Sequence, residues 1–240
     1  MIRFFYVIII NIFTALHFVN KMKYMINHQE KYSEEECYEV VRHIVWIMKF
    51  TGAIRTKVYG TENLPKEGGY VMYPNHQGKY DAYGIVYAHD KPCTVVMDIE
   101  KSYTILIREI IDLLKGKRLD KKDARQAMTI IKEVGKEVES GRRYVIFPEG
   151  GYGFNNRNRL QEFKAGCFKS SMKSKTPIVP VALIDSYKVF DGIRQFGIVT
   201  TQVHFLEPIY YEEYAGMKTP EIADLVKSRI QKRINEVEGR

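Results

Sequence analysis

Residues 70–81 read Tyr70-Val71-Met72-Tyr73-Pro74-Asn75-His76-Gln77-Gly78-Lys79-Tyr80-Asp81. The first four are aromatic, β-branched or apolar and are bounded by turn residues, which marks a short strand over Tyr70–Tyr73. Past Asp81 the apolar spacing turns helical over Ala82–His89. A strand that passes through a polar loop into a helix is the unit of α/β architecture, and it recurs along the chain. Strand-like runs follow at Thr94–Met97, Tyr144–Phe147, Ile178–Leu183 and Gln202–Phe205. Helical patterns fill the gaps at Tyr103–Leu114, Asp123–Ser140, Phe163–Lys173 and Pro220–Val237, the last with Thr219 as N-cap and Pro220 at the first helical position. The expected fold is α/β, a single sheet flanked by helices on both faces, with no internal repeat and no low-complexity linker.

In an open α/β sheet, ligands bind where strands end and helices begin, so the loops after Tyr73 and Phe147 are the candidate site. His76 and Asp81 lie about 140° apart on a regular helix, so they can meet only across a turn. Gly78 offers flexible backbone for that turn, and Asp81 falls at the start of a helix, where a carboxylate is favoured. A carboxylate on one ring nitrogen would hold His76 in one tautomer and leave the other nitrogen to take a proton. The second loop, Phe147-Pro148-Glu149-Gly150-Gly151-Tyr152-Gly153, combines one carboxylate with three glycines that let backbone amides approach an anion. Taken alone it also reads as an ordinary turn in which Glu149 caps a helix.

The N-terminus has a different character. Ile2 to Val19 is almost wholly apolar, interrupted by Arg3, Asn11 and His17 and followed by Lys21 and Lys23. As one helix it would reach roughly 27 Å against a hydrocarbon core of about 30 Å, enough for a marginal span. No small-x-small cleavage site follows, which favours an anchor over a signal peptide. Lys21, Lys23 and Lys31 outweigh Arg3, so the positive-inside rule leaves the body on the cytoplasmic face of the cell membrane. A helix lying in the interface without crossing is the open alternative. Ser33-Glu34-Glu35-Glu36 reads as a capping box opening a second helix, whose stripe of Val41, Ile44, Val45 and Met48, with Trp46 and Phe50 beside it, suits either its own core or a bilayer. The division expected is residues 1–55 as membrane anchor plus amphipathic helix and 56–240 as the α/β domain.

Lys plus Arg number 37 against 29 Asp plus Glu, a formal charge of +8 that suits anionic lipid or phosphorylated partners. Nucleic acid is not expected, because the basic residues are not interleaved with a recognisable nucleic-acid motif. Cys37, Cys93 and Cys167 have neither disulfide nor zinc spacing, and no metal is expected. A hydrolase would need a nucleophile, yet there is no G-x-S-x-G elbow.

Taken in order, several motifs carry a resemblance. Gly60-Thr61-Glu62-Asn63-Leu64-Pro65, Asn75-His76-x4-Asp81, Phe147-Pro148-Glu149-Gly150, Phe163-Lys164-Ala165-Gly166 and Ile178-Val179-Pro180-Val181-Ala182-Leu183 together resemble the 1-acylglycerol-3-phosphate acyltransferase family of glycerolipid synthesis. The resemblance covers roughly residues 55 to 210 and implies that N-terminal membrane-associated helices precede a catalytic domain over 56–240. It implies acyl transfer from acyl-CoA or acyl carrier protein, as co-substrate and without other cofactor, to the free hydroxyl of a lysophospholipid, 1-acylglycerol-3-phosphate first among them. A different lysolipid acceptor, or a non-catalytic membrane-binding protein on the same fold, are the alternatives.

By the resemblance, His76 and Asp81 are the acid–base pair, and Asn75, Lys121, Arg125, Glu149, Gly150, Gly151 and Lys164 belong to the acceptor site. Two departures stand out. Gly151 and Tyr152 replace the family's usual Thr-Arg, and Leu119-Asp120-Lys121 replaces an Ile-Asp-Arg type sequence. Lys121 keeps a positive charge without the bidentate fork, and Arg157 and Arg159 are placed to supply the missing guanidinium. The basic run from Lys115 to Arg125 reads either as a surface for phosphates or as a solvated loop.

Overall fold

The computed structural model describes residues 2–153, 156–191 and 197–239. In chain order the elements are α1 (Ile2–Ile10), α2 (Ile12–Asn27), α3 (Glu34–Thr51), β1 (Ile54–Tyr59), β2 (Tyr70–Pro74), α4 (Asp81–Ala88), β3 (Thr94–Asp98), α5 (Ile107–Leu113), β4 (Lys117–Leu119), α6 (Ala124–Glu139), β5 (Arg143–Val145), α7 (Lys169–Ser174), β6 (Ile178–Ile184), β7 (Val199–Phe205), α8 (Tyr211–Tyr214) and α9 (Thr219–Glu238). The strands form one sheet in the order β1-β7-β6-β2-β5-β3-β4. Only β6 and β7 pair antiparallel; every other neighbouring pair is parallel.

Successive side chains of the central strands feed two cores. Tyr70 and Met72 of β2, with Val179, Val181 and Leu183 of β6, face α2, α3, α4 and α5. Val71 and Tyr73, with Ile178, Ala182 and Ile184, face α6 and α9. A strand buried on both faces cannot alternate polar with apolar residues, which is why both read as near-continuous apolar runs. Edge strand β1 shows the opposite pattern, with Arg55, Lys57 and Tyr59 exposed.

The expected elements are present with shifted ends. Helix α5 starts only at Ile107, because Leu106 takes a left-handed φ of 73° and its amide donates to the Glu109 carboxylate. The segment expected as a helix from Phe163 begins as a 3-10 turn over Ala165–Phe168 and becomes α-helical at Lys169. The Lys164 amide is tied instead to Pro148 O at 2.9 Å. Thr219 is the first residue of α9, and Lys218 takes the capping position. Strand β4 was not anticipated, since Lys117 and Arg118 dominate it. It is an edge strand whose charges are matched by Glu133 and Glu137 for Lys117 and by Asp112 for Arg118.

The apolar N-terminus does not form one straight helix. It breaks between α1 and α2 with a bend of 67°, and among the described residues no single helix is long and apolar enough to cross a membrane, although the bent pair passes on length and composition. Long-range bonds fix the bend. The Asn11 amide donates to Val7 O and to Thr51 Oγ1, each at 2.8 Å, while the Arg3 guanidinium reaches Gly52 O at 3.1 Å and Gly197 O at 2.9 Å. A straight span would carry Arg3 away from these carbonyls.

Helix α3 begins with the expected capping box, Ser33 and Glu36 each accepting the other's amide proton. Its Tyr38, Val41 and Val45 are buried, whereas Trp46 and Phe50 stack on each other and stay exposed. Phe18, Met22 and Met25 of α2 also enter the core under β2.

Candidate active site

Strands β5, β2 and β6 lie side by side in the middle of the sheet and end at the same edge. The chain leaves β2 toward α4 on one face and leaves β5 toward α7, which packs on α6 and α9's side, on the other. Loops that part to opposite faces open a crevice at the carboxyl ends of parallel strands. His76 lies on the loop after β2, Glu149 on the loop after β5 and Ser186 just beyond β6.

Asp81 is buried to 1% exposure at the first position of α4, and its Oδ2 accepts from His76 Nδ1 at 2.7 Å. The same oxygen accepts the amides of Gln77 at 2.5 Å and Gly78 at 2.9 Å, which folds the five-residue spacing into a tight turn. Gly78 takes no unusual φ there; a Cβ would lie 2.9 Å from Asp191 Oδ2, so a side chain at this position would push the Asp191 carboxylate aside. Since a carboxylate only accepts, His76 Nδ1 carries the proton and Nε2 keeps a free lone pair. The imidazole stacks on Phe147 at 4.2 Å and meets the Tyr152 edge at 4.8 Å, leaving its side chain 18% exposed.

Two residues expected at the acceptor have another task. Asn75 donates to Leu183 O at 3.0 Å and accepts from Leu183 N at 2.7 Å, so its amide completes the β2–β6 junction like a backbone unit. Glu149 is likewise buried: one oxygen accepts the His76 amide at 3.1 Å and the other accepts Gln161 Nε2 at 2.8 Å. Burial pushes its carboxyl above the usual range, against the pull of these donors. Glu149 thus clasps the two loops together, with one protein donor on each oxygen.

Lysines gather around the glycine loop. Gly150 takes a left-handed φ of 70°, and a Cβ there would sit 2.8 Å from Lys164 Nζ; one on Gly151 would sit 3.9 Å from Lys121 Nζ. Lys101 and Lys79 place their ammonium groups 5.3 and 5.8 Å from the centre of the Tyr152 ring. Lys121 pairs with Asp98 at 2.6 Å and Lys79 with Asp191 at 2.8 Å. Burial raises the Asp98 carboxyl, but the hydrogen bonds from Lys121 and the Glu100 amide, with the nearby charges of Lys121 and Lys101, together outweigh it and the net shift is downward. Among the described residues neither Lys101 nor Lys164 has a carboxylate partner.

The three arginines are elsewhere. Arg125 is exposed in the first turn of α6. Arg157 and Arg159 line a polar cleft of about 390 Å³ with Asp185, Tyr187, Lys188, Gln202 and Glu238. Asn158 between them is buried and pinned by Gln77 and Asp185, so the loop turns its guanidinium groups into that cleft and not against Tyr152. The expectation that they replace the missing guanidinium beside Gly151 is corrected accordingly. Lys79, Lys101, Gln77, Asn158, Gln161 and Ser186 were not anticipated. Gln77 and Lys79 sit within the quoted loop, but nothing in the sequence pattern points to the others.

Cys93 is buried, and burial pushes its thiol up to about 12; burial raises Cys37 and Cys167 as well, so none presents a ready thiolate.

The sequence model of the Acyltransferase family matches residues 55–184, a stretch running from β1 through β6 and holding both loops. The chain belongs to the Acyltransferase family. Over 195 residues it is 26% identical to the 1-acyl-sn-glycerol-3-phosphate acyltransferase of Saccharomyces cerevisiae, a match covering 80% of this chain and 63% of that protein. It is equally 26% identical over 195 residues to 1-acyl-sn-glycerol-3-phosphate acyltransferase alpha of Homo sapiens, covering 80% of this chain and 68% of the human one. The crystal structure of the 1-acyl-sn-glycerophosphate (LPA) acyltransferase PlsC from Thermotoga maritima has the same fold, with a TM-score of 0.74 at 16% identity over 97% of this chain and 98% of that one. The chain thus spans roughly two thirds of the length of the curated relatives it matches.

Proposed function

We propose that this acyltransferase esterifies the free hydroxyl of 1-acylglycerol-3-phosphate, taking the acyl group from acyl-CoA or acyl carrier protein and releasing phosphatidic acid and a thiol. The observation that carries the reading is the His76–Asp81 pair opening beside a glycine loop that four lysines surround. The names borne by the yeast and human relatives support the same acceptor.

His76 Nε2 takes the acceptor's hydroxyl proton as the oxygen attacks the thioester carbonyl. The new C–O bond forms, the C–S bond breaks, and the imidazolium returns its proton to the departing sulfur. Asp81 holds the ring and offsets the transient positive charge without being protonated itself. No acyl-enzyme is required, in keeping with the raised thiols.

In place of a bidentate arginine, the acceptor phosphate is met by the point charges of Lys101, Lys121 and Lys164 around Gly150–Tyr152. The apolar outer side chains of α1 and α2, among them Ile9 and Phe13, are exposed, and they hold the enzyme at the cytoplasmic membrane surface, where a lysolipid is found.

The test is an acceptor panel. Purified enzyme is given labelled acyl-CoA or acyl carrier protein with lysophosphatidic acid, lysophosphatidylcholine, lysophosphatidylethanolamine or lysophosphatidylglycerol. Preference for lysophosphatidic acid that weakens in Lys101→Ala and Lys164→Ala supports the reading. Equal or better use of a diester lysolipid, unchanged in those variants, overturns the phosphate assignment.

A further inference from the structure

We propose that Ser186 is a positioning residue of the acyl transfer, the third member of a Ser186–Asp81–His76 relay that fixes the base from the end of the neighbouring strand β6. This rests on His76 being the base.

The two oxygens of Asp81 are used differently. Oδ2 is taken by His76 and two amides of its own turn, all local in sequence. Oδ1 lies 2.5 Å from the Ser186 hydroxyl at another strand's end; Gln77 Oε1 is also within 2.9 Å of that hydroxyl, but its single proton goes to the nearer, charged carboxylate oxygen. Ser186 and Asp81 are both almost wholly buried, so water does not stand in for the hydroxyl. Without it, one carboxylate oxygen would be left with no side-chain donor in a desolvated setting, free to rotate toward one and misalign the imidazole.

Ser186 is itself built into place. Asp185 before it takes a left-handed φ of 63°, turning the chain sharply out of β6. The Ser186 amide donates to Gln77 Oε1 at 2.9 Å, and Gln77 Nε2 donates to Leu183 O and to Asn158 Oδ1 at 2.9 and 2.8 Å. Asn158 Oδ1 in turn accepts the Asp185 amide at 2.9 Å. Gln77 thus follows the base in sequence while its side chain sets the donor to the base's partner. A left-handed backbone at Asp185, a glutamine with its carbonyl and amide bonded, and a hydroxyl aimed at the remaining carboxylate oxygen are more than the turn needs, since Asp81 Oδ2 already closes it by accepting the Gln77 and Gly78 amides.

The relay predicts a defect in turnover more than in binding. Ser186→Ala should lower kcat about tenfold, equivalent to about 1.4 kcal/mol, with KM for both substrates within about twofold. Ser186→Thr, which keeps the hydroxyl, should recover most of the loss. Histidine-selective ¹⁵N NMR of the full chain in detergent, with His76→Gln to assign the resonance, should show His76 as the Nδ1–H tautomer in the wild type and as a mixture in Ser186→Ala. If Ser186→Ala does not unfold cooperatively, Ser186→Cys, of similar size but a weak donor, carries the same test. Wild-type kcat with an unmixed tautomer in Ala or Cys variants that melt normally would overturn the proposal. So would a loss of kcat with the tautomer unchanged, which marks a purely structural role. If instead His76→Gln retains full activity, the base assignment fails, and the relay with it.

Discussion

At the scale of single residues, the account separates groups that touch substrate from groups that hold them. Lys101 and Lys164, which have no carboxylate partner among the described residues, should act on binding: each alanine variant should raise KM for lysophosphatidic acid about three- to tenfold with kcat nearly unchanged, since a screened, part-exposed charge–phosphate contact contributes about 1 kcal/mol. Steady-state kinetics against acceptor concentration checks this. Glu149 should behave otherwise: Glu149→Ala leaves the His76 amide and Gln161 without their partner and should cost about 2 kcal/mol of stability, read by denaturant unfolding. The sequence displayed the His76–Asp81 pair because their contact is local, closed by a turn within five residues of chain. It hid Ser186 and Lys101, because what brings them toward His76 is the adjacency of β6, β2, β5 and β3, a property of the sheet order. It also did not show that Asn75 and Glu149 bond neighbouring carbonyls and amides, partners that other strands and loops supply.

At the scale of elements, the parallel core strands and the longer helices were legible, since continuous apolar runs and helical spacing report burial directly. Strand β4 was not, because its charges are satisfied by α5 and α6 partners that local pattern cannot name. The bend between α1 and α2 was hidden for the same reason, being set by Asn11 and Arg3 reaching residues after α3 and before β7. Exposed Ile9 and Phe13 on this bent pair give a direct test: Phe13→Asp should weaken binding to vesicles containing anionic lipid several-fold in flotation assays while leaving circular dichroism and melting unchanged. Arg3→Ala should instead lower stability by about 1–2 kcal/mol, because the buried Gly52 carbonyl loses its guanidinium donor and the tie to Gly197 O is cut.

At the scale of the whole molecule, acid stability and activity follow from buried histidines and from the position of the site. His89 accepts Tyr70 OH on Nε2 at 2.6 Å and donates from Nδ1 to Lys91 O at 2.6 Å, an arrangement for neutral imidazole. Burial pushes its pKa down to about 4, and that of buried His204 to about 4 as well. The unfolded chain takes up these protons near pH 6.5 and the folded one does not, so stability is full above that pH and falls as pH drops toward 4. For His89 the loss is about 2–3 kcal/mol over this window. Urea unfolding at pH 7.5 and pH 5 should show the slope, and His89→Phe should flatten part of it.

The central claim is that His76 activates the acceptor hydroxyl directly. The measurement that reaches it is single-turnover acyl transfer to lysophosphatidic acid by the wild type and by folded His76→Ala and His76→Gln. The account predicts a loss of about 10²–10⁴-fold in both variants, with no acyl-enzyme trapped in either or in the wild type. Near-normal transfer without the imidazole, or a covalent acyl-enzyme forming ahead of product, would contradict it.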